Sequence, residues 1–238
     1  MKHIQLFLKS FAVICIAAFL SACTSITGTG PAVTESRSVS EITAIELEMD
    51  ADVYLIKGDT QNIVISTQQN ILQVIQTTVD GGSLKIKTSE SISVTEPIQI
   101  WITVKNIEAL EISGSGSISS TTTFTSEKIT ADVSGSGKIN VDLNCEKFNG
   151  DLNGSGTINL TGKIGKADID LSGSGSIEAS ECEFDNCEIT LNGSGDAILT
   201  IKSELDATIN GSGSIRYRGN PQKVKSDING SGTITKAN

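Results

Sequence analysis

Along the second half of the chain, apolar and polar positions alternate in short blocks that restart at a near-constant interval. Ile129-Ala131-Val133, Phe148-Gly150-Leu152, Ala167-Ile169-Leu171, Cys187-Ile189-Leu191, Leu205-Ala207-Ile209 and Val224-Ser226-Ile228 hold one phase. The phase between them is polar, from Thr130-Asp132-Ser134 to Lys225-Asp227-Asn229. Period two with one apolar face predicts half-buried strands. Each block ends at a Gly-Ser-Gly triplet. The triplets begin at Gly114, Gly135, Gly154, Gly173, Gly193, Gly211 and Gly230, so the intervals are 21, 19, 19, 20, 18 and 19 residues. Beyond each triplet a second strand restarts with Ile118, Ile139, Ile158, Ile177, Ala197, Ile215 or Ile234.

A persistent period near twenty marks stacked repeats. Each unit reads as strand, tight bend, strand and looser turn, with like strands stacking in parallel at about 4.8 Å. The predicted class is all-β: a single-stranded parallel β-helix, or β-solenoid, right-handed by the general rule for parallel crossovers. One such coil buries too little to stand alone, so repetition is a thermodynamic requirement. Glycine suits a bend that needs φ > 0 or close backbone approach. Ser or Asn always precedes the triplet, from Ser113 to Asn229, and predicts a polar ladder along the axis. A phosphate-binding loop is excluded, because the motif recurs seven times with no Lys-Ser/Thr pair to complete it.

Residues 39–106 lack the triplet but keep the alternation, and read as degenerate coils that cap the solenoid and share its core. Ile45, Leu47 and Met49 alternate up to Asp50-Ala51, and Val53 and Leu55 beyond it, so Met49-Asp50-Ala51 stands in place of a triplet. A short helical turn is expected near residues 70–75. Asp80-Gly81-Gly82 predicts a hairpin between Ile75–Val79 and Leu84–Thr88. Residues 107–238 hold the seven repeats, so 39–238 is one domain. The last strand, around Ile234, has no cap following it and predicts an open edge that pairs end to end with another copy or docks on a partner.

Residues 1–22 have a basic start at Lys2 and Lys9 and a short apolar run from Phe11 to Leu20, which reads as a secretory signal rather than a membrane span. Leu20-Ser21-Ala22-Cys23 resembles the bacterial lipobox, which implies cleavage before Cys23 and a lipid anchor on that cysteine. Ser, Thr and Gly dominate 23–38, predicting a flexible tether. Without residues 1–22 the chain has 16 basic and 28 acidic residues, a poor match for nucleic acid or anionic lipid. It also has no histidine, which removes Ser-His-Asp, Cys-His and His-zinc chemistry. Cys145 and Cys187 fall in apolar columns. Cys182 and Cys187 are close enough in sequence to bridge a turn in an exported protein, or to remain thiols.

These features together point to a family. The Ser/Asn-Gly-Ser-Gly-x-Ile units, the lipobox leader and Asp52-Val53-Tyr54-Leu55-Ile56-Lys57-Gly58-Asp59 resemble the head GIN domain family, auto-transporter-adhesin-like envelope proteins of Gram-negative bacteria. The resemblance implies a pectin-lyase-like helix and adhesion at the cell surface, and carries over no catalytic residues. Thr24 after the anchor favours the outer membrane, by resemblance to other lipoproteins.

Candidate chemistry is sparse, and no cofactor, metal or catalytic residue is assigned. Asp132, Asp151 and Asp170 share an outward column that either binds Ca²⁺ or is balanced by the column of Lys128, Lys147 and Lys166. Helices of the implied type often cut acidic glycans, but basic residues here are scattered: Arg216 and Arg218 flank the core-facing Tyr217, and Arg37 lies in the tether. The expected role is therefore binding or scaffolding through contact with glycan or envelope protein, and the alternative is a polysaccharide lyase or hydrolase. Tyr54 and Trp101, on outward phases of their strands, are the candidate ligand contacts, unless both pack under a neighbouring loop.

Overall fold

A computed structural model describes residues 25–237. The signal segment 1–22 and the anchor at Cys23 lie outside the described residues. The N-terminal part contains β1 (Ile26–Thr27), β2 (Ala32–Arg37), β3 (Ala44–Leu47), β4 (Asp52–Lys57), β5 (Asn62–Gln68), α1 (Gln69–Leu72), β6 (Ile75–Asp80), β7 (Ser83–Thr88), β8 (Ile92–Ser93) and β9 (Gln99–Val104). The repeats follow as β10 (Ala109–Gly114), β11 (Ser117–Ser120), β12 (Phe124–Gly135), β13 (Lys138–Gly154) and β14 (Thr157–Gly173). The last are β15 (Ser176–Gly193), β16 (Asp196–Gly211), β17 (Ser214–Arg218), β18 (Lys223–Gly230) and β19 (Thr233–Lys236).

The chain is a β-solenoid of about seven turns. Every pairing among β10 to β19 is parallel, and the first glycines of all seven triplets stand in one register column. Each triplet's Ser N–H donates to the first Gly carbonyl of the coil beneath, at 2.8–2.9 Å from Ser136 to Ser231. The residue after the triplet donates to the third Gly carbonyl beneath, at 3.0–3.1 Å. The two glycines are required for different reasons. The first has φ of +120° to +146°. From Gly135 onward, a Cβ on it would also lie 2.2–2.6 Å from the glycine carbonyl oxygen below. The third glycine has ordinary φ, but a Cβ on Gly156 would meet the Gly137 carbonyl oxygen at 2.4 Å and Val133 at 2.9 Å.

The looser turn expected between strands is absent from the middle coils. β13 to β16 run unbroken from one triplet to the next. Two exposed residues in succession, Glu146-Lys147 or Asp185-Asn186, shift the inward phase by one, so the chain rounds a corner while keeping its ladder. The uneven intervals are absorbed as register shifts away from the triplet, around Asn159/Thr161, Ala179/Glu183 and Phe184/Asn186. The core is one cluster, with Ile129, Phe148, Ala167, Cys187 and Leu205 in one column. Gly150 leaves the room that Phe148 fills; a Cβ there would lie 2.7 Å from the ring.

Met49-Asp50-Ala51 does take the place of a triplet. β3 and β4 pair with β10 and β11 so that Leu47 faces Ile112 and Asp52 faces Ser117, and Ser117 N–H donates to the Ala51 carbonyl at 2.8 Å. Met49 has no positive φ, and a Cβ on Gly114 above it would touch nothing. The next coil in sequence does not follow on top. β7 and β9 pair with the opposite edges of β3 and β4, so the chain first steps backwards. The expected hairpin joins β6 to β7, with Gly81 and Gly82 at φ +56° and +83°. The head of the stack is closed by antiparallel strands, β6 on β7 and β5 on β9, together with α1.

The flexible tether expected over 23–38 is not what the structure shows from Ile26 onward. β1 pairs with β8, and β2 pairs antiparallel with β5 from Ala32/Gln68 to Arg37/Ile63. Arg37 donates to Glu35 (2.6 Å) and to the Ile75 carbonyl (3.0 Å), and buried Gln68 donates to the Gly30 carbonyl (3.0 Å). The Ser/Thr composition misleads because this strand draws its fixation from partners distant in sequence.

Alanine at Gly114 should cost only backbone strain, about 1–3 kcal/mol. At Gly154 the clash with the Gly135 carbonyl adds about 1–3 kcal/mol more, whereas Ser155→Ala on the exposed tip should stay within about 0.5 kcal/mol. Thermal melts followed by circular dichroism should show the largest loss for Gly154→Ala, a smaller one for Gly114→Ala and the least for Ser155→Ala.

Candidate functional site

Stacking turns each outward position into a column running along the solenoid, so the surface is a set of stripes. Three features of this surface bear on function.

The first is aromatic. β4 lies beside β9 with Tyr54 directly opposite Trp101, and the two rings stack with centroids 5.8 Å apart and planes 23° from parallel. Both are half-buried and point outward. Val64 of β5 flanks Trp101 on its other side, and Ser119 of β11 flanks Tyr54. Polar rows border the pair: Asp52 faces Gln99 on one side, and Thr103 faces Asn62 on the other. The Ser117 hydroxyl donates to Asp52 at 2.7 Å, fixing that carboxylate. The sequence placed each ring on an outward phase but could not reveal that they are neighbours.

The second is acidic. Glu46, Glu111, Asp132, Asp151 and Asp170 occupy one column on consecutive coils. Lys85 closes its head end with ion pairs to Glu46 (2.7 Å) and Glu48 (2.9 Å). These contacts raise the Lys85 ammonium above its usual range and lower Glu48. Lys128, Lys147 and Lys166 do form their own column, but no ion pair joins them to the aspartates among the described residues. Burial, and then the charge of Asp151, push Asp132 up to about 6. Asp170 is raised by burial and by Asp151, Asp168 and Glu188. Among the described residues, no group of three or more His, Cys, Asp or Glu side chains is arranged to hold a metal ion. In the later coils opposite charges pair between adjacent coils, as in Lys202–Glu183 (3.4 Å), Lys223–Glu204 and Lys225–Asp206 (2.9 Å).

The third is a groove of about 820 Å³ along the corner lined by Glu127, Glu146, Lys163, Glu183, Asp185 and Lys202. Here cations and carboxylates from successive coils converge, which inspection of single repeats misses. Arg216 and Arg218 project from β17 on either side of Tyr217, which packs against the core. Arg37, expected in a tether, instead ties β2 to the main chain at Ile75.

The predicted ladder before the triplets forms where asparagines stack: Asn229 Nδ2 donates to Asn210 (3.1 Å), which donates to Asn192 (2.9 Å). Cys145, Cys182 and Cys187 are buried free thiols, so Cys182 and Cys187 are not bridged. Burial raises all three, Cys145 to about 11 and Cys182 to about 12, which leaves them without nucleophilic thiolate at neutral pH.

Residues 41–221 match the family described as "Putative auto-transporter adhesin, head GIN domain". The chain belongs to this head GIN domain family. No curated protein matches it. Among solved structures, a "putative adhesin" from Bacteroides fragilis is similar at 23% identity and a TM-score of 0.82, the match covering 90% of this chain and 100% of that one. A "Putative lipid binding protein" from Parabacteroides distasonis is similar at 24% identity and a TM-score of 0.74, with the same coverage. A "putative adhesin" from Parabacteroides merdae gives 22%, 0.69, and coverage of 90% and 99%. At these identities the likeness shows the fold alone.

The acidic column sets a pH dependence. A carboxyl raised in the folded state costs stability above its folded pKa, and this cost is relieved as pH falls from about 6 towards 4. Asp132→Asn should therefore stabilise the protein at pH 7.5 by roughly 0.5–1 kcal/mol, discounted for solvent screening of a half-exposed group. That gain should vanish near pH 4. Denaturant unfolding at both pH values measures it.

Proposed function

We propose that this chain is a lipid-anchored protein of the bacterial envelope whose solenoid binds rather than catalyses, contacting glycan through the face that carries Tyr54 and Trp101. The observation that carries the reading is the stacked, outward aromatic pair bordered by Asp52, Gln99, Asn62 and Thr103. Aromatic faces take up the C–H side of a sugar ring, and short polar side chains beside them take its hydroxyls. Membership of a family described as adhesin-like supports the reading. So does the lipobox-like Leu20-Ser21-Ala22-Cys23, which would hold the protein at a membrane from its N-terminus, in the outer membrane given Thr24. Net negative charge keeps the rod from anionic lipid and nucleic acid and favours neutral glycans or basic protein surfaces.

The chain has one tryptophan, so ligand binding reports directly in its fluorescence. Titration against a panel of neutral and acidic bacterial glycans should shift Trp101 emission. Tyr54→Ala should weaken binding by about 1–3 kcal/mol, the usual worth of an aromatic anchor. No shift from any glycan would end the glycan reading. New reducing or unsaturated ends, abolished by Glu146→Gln or Lys163→Ala in the corner groove, would show a polysaccharide-cleaving enzyme instead. Metabolic palmitate labelling that is lost in Cys23→Ala checks the anchor.

A further inference from the structure

The two ends of the stack differ in how they are finished. At the head, antiparallel strands and α1 close the core, and Ile71, Leu72 and Ile75 are buried. At the tail, β18 pairs with β16 along one edge only, and every residue of it is exposed. Val224, Ser226 and Ile228 continue the inward columns of Leu205, Ala207 and Ile209, which are fully buried one coil earlier. Val224 and Ile228 are 40% and 42% exposed, and the only other large apolar side chain exposed among the described residues is Val94. An apolar inner face and a free strand edge thus coincide at one place.

The order of residues along β18 determines what fits there. Run antiparallel to itself with Ser226 at the centre, Val224 meets Ile228 and Lys225 meets Asp227, and each pair occurs twice. An isologous interface needs this self-complementarity, and cross-strand apolar and opposite-charge pairs are the stabilising kind. Lysines normally guard a free edge against pairing. Here Lys223 and Lys225 are already neutralised by Glu204 and Asp206 of the coil beneath, so the guard is removed.

We propose that the exposed edge of β18 is an interaction surface for a second copy of this chain, forming a tail-to-tail dimer with β18 antiparallel to its mate about a two-fold axis at Ser226. The two cores become continuous across the junction, and the two heads, with their N-terminal segments, point away from each other. This pairing is independent of the glycan reading, because Tyr54 and Trp101 lie in the coils near the head. Dimerisation joins two rods at their tails, so two anchored molecules would meet from facing membranes.

The test uses the chain without residues 1–22 and with Cys23→Ser, changes that lie outside the described fold. Sedimentation equilibrium up to about 1 mM should show a monomer–dimer equilibrium with a dissociation constant on the order of 10–100 µM, as suits a small transient interface. Asp227→Lys should weaken it at least tenfold, and the swap of Lys225→Asp with Asp227→Lys should restore it to within about threefold. Ser226→Cys should oxidise to a covalent dimer, since this residue meets its own copy, while Asn229→Cys should not. A protein that stays monomeric at about 1 mM would overturn the proposal. So would a dimer indifferent to Asp227→Lys, or a Ser226→Cys chain that fails to cross-link while still dimerising.

Discussion

The structure depends on the contact between the backbones of successive triplets. The Ser N–H of one coil reaches the glycine carbonyl of the coil below at 2.8–2.9 Å, in the space a side chain would occupy. This contact is repeated without interruption from Gly114 to Gly230, so it fixes the rotational register of every coil on the last. Length variation between triplets is pushed into bulges elsewhere rather than into the bend. Fixing one point of each turn is enough, because the ladder hydrogen bonds propagate that register along both adjoining strands.

Columnar register amplifies whatever stands at each position. Where apolar residues recur, the outcome is one continuous interior containing Phe124, Phe148 and Phe184. Where acids recur, like charges are held one coil apart, and the column from Glu46 to Asp170 retains that repulsion, with an ion pair among the described residues only from Lys85 at its head. Lysines four places along the same strand give no relief, because an extended chain carries them far beyond contact distance. Complementary charges one coil apart do meet, as at the tail. Register also sets Tyr54 beside Trp101, where the two rings stack.

Periodicity also explains why the two ends are unlike. Inside the stack each coil is both floor and ceiling to a neighbour, so no special sequence is needed. At the head the chain abandons the repeat: it steps back to lay β7 and β9 beneath β3 and β4, then covers them with antiparallel strands that have no repeat equivalent. Arg37 and Gln68 complete that cover, one binding main-chain carbonyls near α1 and the other anchoring Gly30. At the tail the repeat simply continues to the edge.

The sequence alone determined the repeating part. Columns separated by a near-fixed interval are also neighbours in space, so alternation and glycine spacing encode the contacts themselves. Met49-Asp50-Ala51 as a worn triplet and the inward place of Cys187 could be read for that reason, and the Asp80-Gly81-Gly82 hairpin from its local turn residues. Only the tertiary structure decided the backward step of the second coil, the strand at Ala32–Arg37 and the meeting of Tyr54 with Trp101. Those contacts join segments at unequal separations that occur once, and a contact that does not recur leaves no period in the chain to reveal it.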